Sequence, residues 1–196
     1  MIKPMRPTSS VESFRSGAGR LSLDYVRTLR YRGHDRAEEE LATPERLQAW
    51  IHEFGPCPPS HAAPEPDQLA SAHELREAIY TMLSAARGPD GTVSCPAAAR
   101  TAVNAAATQP VPVPQLDDTG GLLHTAPDPI TATLALIARD ALDLVGSSDS
   151  SRLRTCANPD CGILFLDNSR PGTRRWCSMQ TCGNQAKKAS QRARLE

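Results

Sequence analysis

The chain has 196 residues, 39% of them hydrophobic but only 4% aromatic, and its 22 basic residues balance its 22 acidic ones. That length suits one domain of ordinary size plus a small appended module, and a core built from Leu, Ile, Val and Ala favours helices. No stretch reaches the apolar length of a membrane span, and Lys3, Arg6, Arg15 and Arg20 alternate with Ser and Gly without an apolar run. Neither insertion in a membrane nor export is therefore expected, and the compartment reads as the reducing cytoplasm.

Residues 1–18 are polar, carry Pro4 and Pro7, and read as a disordered arm. In the following stretch Leu21 and Leu23 alternate like a strand, whereas Leu21, Tyr25, Val26 and Leu29 share one helical face; a short helix is the preferred reading. A charged loop runs from Tyr31 to Glu40. Thr43 then caps a helix with Pro44 in its first position and Leu47, Trp50, Ile51 and Phe54 on one face, closed by Gly55. After a proline-rich loop, a long helix is predicted from Asp67 to Arg87, burying Leu75, Ile79, Met82 and Ala86 and ending at Gly88.

Ser94 is placed to cap an Ala-rich helix running to about Thr108. Val111, Val113 and Gln115 with Leu122 to Thr125 suggest a small hairpin across the turn at 117–121. Asp128 caps the clearest helix: Pro129 takes its first position, and Ile130, Leu134, Ile137, Ala141, Leu144 and Val145 form an apolar face before Gly146. The serine-rich run to Ser151 reads as a flexible linker. The expected division is an arm at 1–18, a helical domain at 19–146, a linker at 147–151 and a module at 152–196.

The module holds Cys156, Cys161, Cys177 and Cys182 as C-x4-C, fifteen residues, C-x4-C. Two short pairs can converge on one point, which is what a tetrahedral thiolate site for Zn²⁺ requires; the alternative of two disulfides needs an oxidising compartment. Ile163 to Leu166 reads as a strand, 167–172 as a turn, 174–176 as a returning strand, and Asn184 to Arg194 as a helix that carries the last ligand in its first turn. Gly162 and Gly183, each following a cysteine, let the backbone turn toward sulfur. The whole is a mainly α (α+β) protein: a helical N-terminal domain with a small β-hairpin, and a C-terminal treble-clef-like zinc finger.

Charge divides the chain along the same line. From Ser151 onward there are nine basic residues against three acidic ones, +6, so the residues before carry −6. Zinc with four thiolates adds −2 and leaves the finger near +4, an asymmetry that suits a polyanionic partner. Arg170, Arg174 and Arg175 cluster between the cysteine pairs, while Lys187, Lys188, Arg192 and Arg194 lie on the last helix. Guanidinium forks match phosphate oxygens or guanine edges, and lysines act as point charges on phosphate. Solvated surface charge is the competing reading.

The residues Arg154-Thr155-Cys156, Cys161-Gly162, Phe165 to Arg170, Arg174 to Ser178 and Cys182-Gly183-Asn184 resemble the CGNR-type zinc fingers of bacterial transcription regulators. Gln185 stands where that family has Arg. Leu21 to Thr28 followed by Leu41 to Trp50 resembles the start of the ABATE-type domain that precedes such fingers. The resemblance implies a stress-induced regulator with Zn²⁺ as cofactor and a small-molecule pocket to which Asp24, Arg27 and Trp50 are candidate contributors. Arg27 replaces the family's Asn, and the competing roles are a helix-start acid for Asp24 and a core anchor for Trp50.

No catalytic residues are assigned. No His follows His124, so a treble-clef nuclease lacks its water-activating group, and the chain has neither a phosphate-binding Gly loop nor a nucleophile elbow. Two readings result. One is a regulator binding double-stranded DNA through the finger, with a helical domain that senses a small-molecule effector or forms a homodimer. The other is a zinc-stabilised adaptor binding an acidic protein or RNA.

Overall fold

A computed structural model of the chain describes residues 14–59, 64–86 and 95–192. In order, it contains α1 (Leu21–Val26), β1 (Leu29–Arg30), β2 (Glu38–Glu39), α2 (Pro44–Phe54), α3 (Pro66–Ala85), α4 (Ala97–Thr108), β3 (Val113–Leu116), β4 (Leu122–Thr125) and α5 (Pro129–Gly146). A 3-10 turn (Ser148–Arg152), β5 (Leu153–Thr155), β6 (Leu164–Leu166), a π turn (Met179–Gly183) and α6 (Asn184–Arg192) complete it. Each sheet is one antiparallel pair: β1 with β2, β3 with β4, β5 with β6.

The helices start where local chemistry dictates. Thr43 Oγ1 accepts the Arg46 N–H at 3.3 Å, and Asp128 Oδ1 accepts those of Ile130 and Thr131 at 3.0 and 3.2 Å, so both predicted caps satisfy otherwise unpaired first-turn donors. At α1 the cap is tertiary. Asp140 of α5 accepts the Ser22 N–H and hydroxyl at 2.8 and 2.5 Å and the Arg20 Nε at 2.9 Å. The ends expected at Gly88 and Ser94 lie outside the described residues.

Helices α3, α4 and α5 pack on one another, with α1 and α2 laid across α3 and α5. Leu23, Leu47, Trp50, Ile79, Leu83, Val103, Ile137 and Leu144 are fully buried among them. Trp50 stands edge-on to Tyr25 at 5.1 Å and is tilted against Phe54 at 4.9 Å. Phe14, itself buried, meets Phe54 edge-on at 6.4 Å.

Several features depart from the sequence reading. Phe14 and Ala18, assigned to the disordered arm, are buried in the core, because Asp24 accepts the N–H groups of Gly17 and Ala18 at 3.2 and 2.8 Å and pins that segment to α1. The charged loop from Tyr31 to Glu40 is closed by the β1–β2 ladder, with Leu29 opposite Glu39. The serine run after Gly146 is a 3-10 turn, not a flexible linker, since the hydroxyls of Ser147, Ser150 and Ser151 each bond a carbonyl three residues back. Residues 174–176 form no strand. The partner of β6 is β5, with Leu153 opposite Leu166 and Thr155 opposite Leu164, so the hairpin encloses the first cysteine pair.

The finger does not stand apart. Leu153, Ile163, Leu164, Phe165 and Leu166 share one buried cluster with the helices, and β6 rests on α1. The Leu166 N–H donates to Ala18 O at 2.8 Å. Gly19 meets the same residue at φ +103, where a Cβ would lie 2.9 Å from the Leu166 Cβ. On the far side of the loop, the His34 Nε2 lies 3.0 Å from Pro159 O, and Arg36 pairs with Asp160 at 2.7 Å.

Candidate metal centre and cationic surface

Cys156 follows β5, and Cys161 closes a turn in which its N–H donates to Asn158 O. Gly162, at φ +61, then reverses the chain into β6, while the Cys156 N–H donates to Ile163 O at 2.9 Å. Cys177 comes from the segment returning from β6, and Cys182 sits in the π turn that leads into α6. All four sulfurs are buried and lie within 4.8 Å of one another. The Cys161–Cys177 and Cys177–Cys182 Sγ separations are 3.6 and 3.7 Å.

Those spacings fit zinc. Four sulfurs held at a Zn–S distance of about 2.3 Å in a tetrahedron lie roughly 3.8 Å apart along each edge. The thiols also oppose one another: hydrogen bonding with Cys161 and Cys177 pulls the Cys156 thiol down to about 2, and the bond with Cys156 pushes Cys161 up to about 12 and Cys177 up as well. Buried sulfurs this close cannot all carry negative charge unless a cation stands among them. The Cys177 N–H points at Cys156 Sγ at 3.5 Å, as a thiolate needs.

A second layer of contacts holds the ligands. The Asp167 carboxylate accepts the Ser169 N–H and hydroxyl at 3.0 and 2.6 Å and the Arg174 N–H at 2.9 Å, and these bonds, those from Ser169 first, hold it below the usual carboxylate range. Arg152 donates to Asp167 O at 2.7 Å and Ser169 O at 2.5 Å. Arg174 Nε donates to Trp176 O at 2.8 Å, another of its nitrogens reaches Cys177 O, and its guanidinium lies 4.9 Å from the Phe165 ring centre. Gln185 Oε1 accepts from Asn158 Nδ2 at 2.9 Å, tying the base of α6 to the knuckle.

The predicted nucleic-acid residues therefore separate. Arg174 is engaged inside the finger, whereas Arg170, Arg175, Lys187, Lys188 and Arg192 are exposed; Arg194 lies outside the described residues. α6 buries no residue. One groove of about 420 Å³ holds Lys187 with Arg175 and Trp176, the Arg175 guanidinium lying 5.1 Å from the indole centre. Lys188 and Arg192 face another, of about 480 Å³, on the opposite flank of the helix. Among the described residues none of these five cations has an ion-pair partner; in the helical part Arg20, Arg27, Arg30, Arg32, Arg36 and Arg76 are paired, while Arg46 and Arg139 bond carbonyls instead.

The predicted effector residues serve the scaffold. Asp24 and Arg27 do come together, at 3.4 Å, and Arg27 donates to Ser16 O at 2.7 Å. Trp50 is fully buried in the aromatic cluster. None of the three lines the groove of about 460 Å³ between α3, α4 and α5, whose walls include Leu75, Ala102 and Leu134 together with Asp67 and Glu74. Tyr31 and Arg36, unnoticed in the sequence, adjoin the finger; a loop of charged residues carries no signal of what it will face.

Two family models match the chain. The ABATE model, described as a "putative stress-induced transcription regulator", covers residues 19–148, and the CGNR zinc finger model covers residues 152–195. No curated protein sequence matches the chain. No helix among the described residues is long and apolar enough to cross a membrane.

Proposed function

The chain belongs to the ABATE family of transcription regulators and ends in a CGNR zinc finger, and on that premise we propose that it regulates transcription by binding double-stranded DNA through the finger. The observation that carries this reading is the set of exposed cations Arg170, Arg175, Lys187, Lys188 and Arg192, without ion-pair partners among the described residues, around a four-sulfur centre. Cations not held by carboxylates of their own chain are free to neutralise phosphate. The zinc ion would be held by Cys156, Cys161, Cys177 and Cys182; its part is to fix the knuckle and the base of α6 in one geometry, since so short a module cannot hold its shape by a core alone. Arg174 positions Trp176 and Cys177 and leaves Arg175 and Arg170 to reach DNA. The helical domain gives the regulator its input, a small-molecule effector taken into the α3–α4–α5 groove, or a homodimer interface.

Salt titration of duplex binding by the zinc-loaded protein tests the DNA reading. If about five cations neutralise phosphates, log affinity falls against log salt with a slope of roughly −4 to −5. Replacing Lys187 and Lys188 together with Ala flattens that slope by up to about 2 and weakens all sequences alike. A protein that ignores DNA yet captures an acidic protein or RNA would replace this reading with the adaptor one.

A further inference from the structure

The groove on the Lys188 side of α6 has walls from both parts of the chain. Lys188 and Arg192 form the helical wall, and Tyr31 and Arg36, from the loop between β1 and β2, form the wall opposite. Arg36 is more than half exposed, and its guanidinium lies 4.7 Å from the Tyr31 ring centre. Arg30 approaches the same ring at 5.0 Å and donates to the Tyr31 hydroxyl at 3.0 Å. Tyr31 holds φ +51, and it is the sole non-glycine residue with positive φ among those described. A bulky residue held there needs surroundings that over-determine it, and such strain gathers at functional surfaces.

Among the described residues the groove has one carboxylate, that of Asp160. Asp160 pairs with Arg36 at 2.7 Å, and it too is more than half exposed. An ion pair so open to solvent holds its partners weakly, so a phosphate arriving between the walls competes with Asp160 on nearly equal terms.

We propose that this groove takes one strand of the DNA backbone, with Arg36 of the helical domain completing the phosphate-binding surface begun by Lys188 and Arg192, and Asp160 occupying the Arg36 guanidinium until phosphate displaces it. The proposal rests on the DNA-binding reading given above. It makes the DNA interface a property of both parts of the chain, so that any change in how the β1–β2 loop sits against the finger alters affinity directly.

The two partners of one ion pair make the test discriminating. If Arg36–Asp160 only clasps the loop to the finger, R36A and D160N break the same contact and shift DNA affinity in the same direction. If Arg36 binds phosphate, they act oppositely. Measured by anisotropy on a labelled duplex with the full-length zinc-loaded protein, R36A should weaken binding roughly three- to tenfold and flatten the salt slope by about 0.9, one phosphate's worth. D160N should tighten binding, while D118N, on the distant β3–β4 turn, should change neither quantity. Thermal melts on each variant confirm equal folding. Same-direction shifts in R36A and D160N, equal tightening by D118N, or an R36A variant indistinguishable from wild type while K187A binds more weakly, would each overturn the composite groove and leave the DNA-binding reading standing. A wild-type protein with no salt-dependent affinity for duplex DNA would remove both.

Discussion

Arg76 of α3 grips Glu39 of β2 with both terminal nitrogens, at 2.6 and 2.5 Å to the two carboxylate oxygens, while almost wholly buried itself. It also donates to Thr28 Oγ1 at 3.2 Å and to Glu77 at 3.1 Å, and Glu77 in turn is bound by Arg32. This network carries the β1–β2 loop on α3. Glu39→Gln leaves a buried guanidinium short of charge, and the expected cost is about 3 kcal/mol in chemical denaturation. A midpoint equal to wild type would show the pair to be dispensable.

The same network sets a pH dependence. Burial pushes Glu39 and Glu77 up, but the hydrogen bonds from Arg76 and Arg32 outweigh it and hold both carboxyls below the ordinary 4.5. Stability from such groups is complete above 4.5 and drains as pH falls through the lowered values, because the unfolded chain takes up protons first. Glu40 runs the other way: burial raises it above 4.5 despite Arg30, so acid relieves rather than harms it. Asp167, Asp117 and Glu45 are lowered as well, so five lowered carboxyls against one raised predict a net loss below 4.5. The loss should be shallower in Glu39→Gln, read as melting temperature against pH for both proteins.

Gly19 offers a test of the seam between the helices and the finger. Alanine there would be forced into left-handed backbone and into contact with Leu166 Cβ at 2.9 Å and Asn168 Nδ2 at 3.3 Å. Gly19→Ala should destabilise the protein by about 1–3 kcal/mol. Gly33→Ala, also at positive φ (+83) but with nothing within 4 Å, separates backbone strain from the clash.

Metal removal should reach beyond the finger. Chelation, or Cys177→Ser, is expected to lower the melting temperature of the whole protein by roughly 10 °C, because β6 and α1 share a buried surface. Hydrogen exchange should quicken across residues 153–192 and also at α1. Bound metal measured by elemental analysis should be one zinc per chain; exchange confined to the finger would contradict the shared core.

Arg174 and Arg175 are neighbours with opposite expectations. Arg174→Ala removes two donors to the carbonyls of Trp176 and Cys177 and should weaken zinc affinity about tenfold in competition with a chelator. Arg175→Ala should leave zinc affinity unchanged and weaken DNA binding. A reversal of the two phenotypes would reassign their roles.

What could be read from sequence was what local chemistry decides. Thr43-Pro44 and Asp128-Pro129 specify helix starts within a few residues, and the cysteine spacing announces a tetrahedral centre without any tertiary information. The β3–β4 hairpin was legible for the same reason, since Asp117 Oδ1 caps its own turn by accepting the Thr119 and Gly121 N–H groups at 2.8 Å. What escaped was settled by distant partners. Residues 174–176 look like a strand, but the Arg174 N–H is taken by Asp167 and Arg175 O by the Ala157 N–H, so no ladder is left to form. Phe14 sits in a polar arm whose composition hides the aromatic cluster that receives it. Asp24 and Arg27 are polar residues beside a helix start, and only the fold reveals that they hold Gly17, Ala18 and Ser16.

The bond from the Leu166 N–H to Ala18 O has a bearing on how the protein is made. Ala18 leaves the ribosome 148 residues ahead of Leu166, so the segment around Phe14 and Gly19 waits for its partner strand while the whole of the helical domain is made. Contacts of such sequence separation form late and slowly. A nascent chain halted before Cys156 would present the α1 surface that β6 normally covers, a patch suited to chaperones or to association with its like. Any message truncated upstream of the finger should thus yield an aggregation-prone helical fragment rather than a smaller working protein.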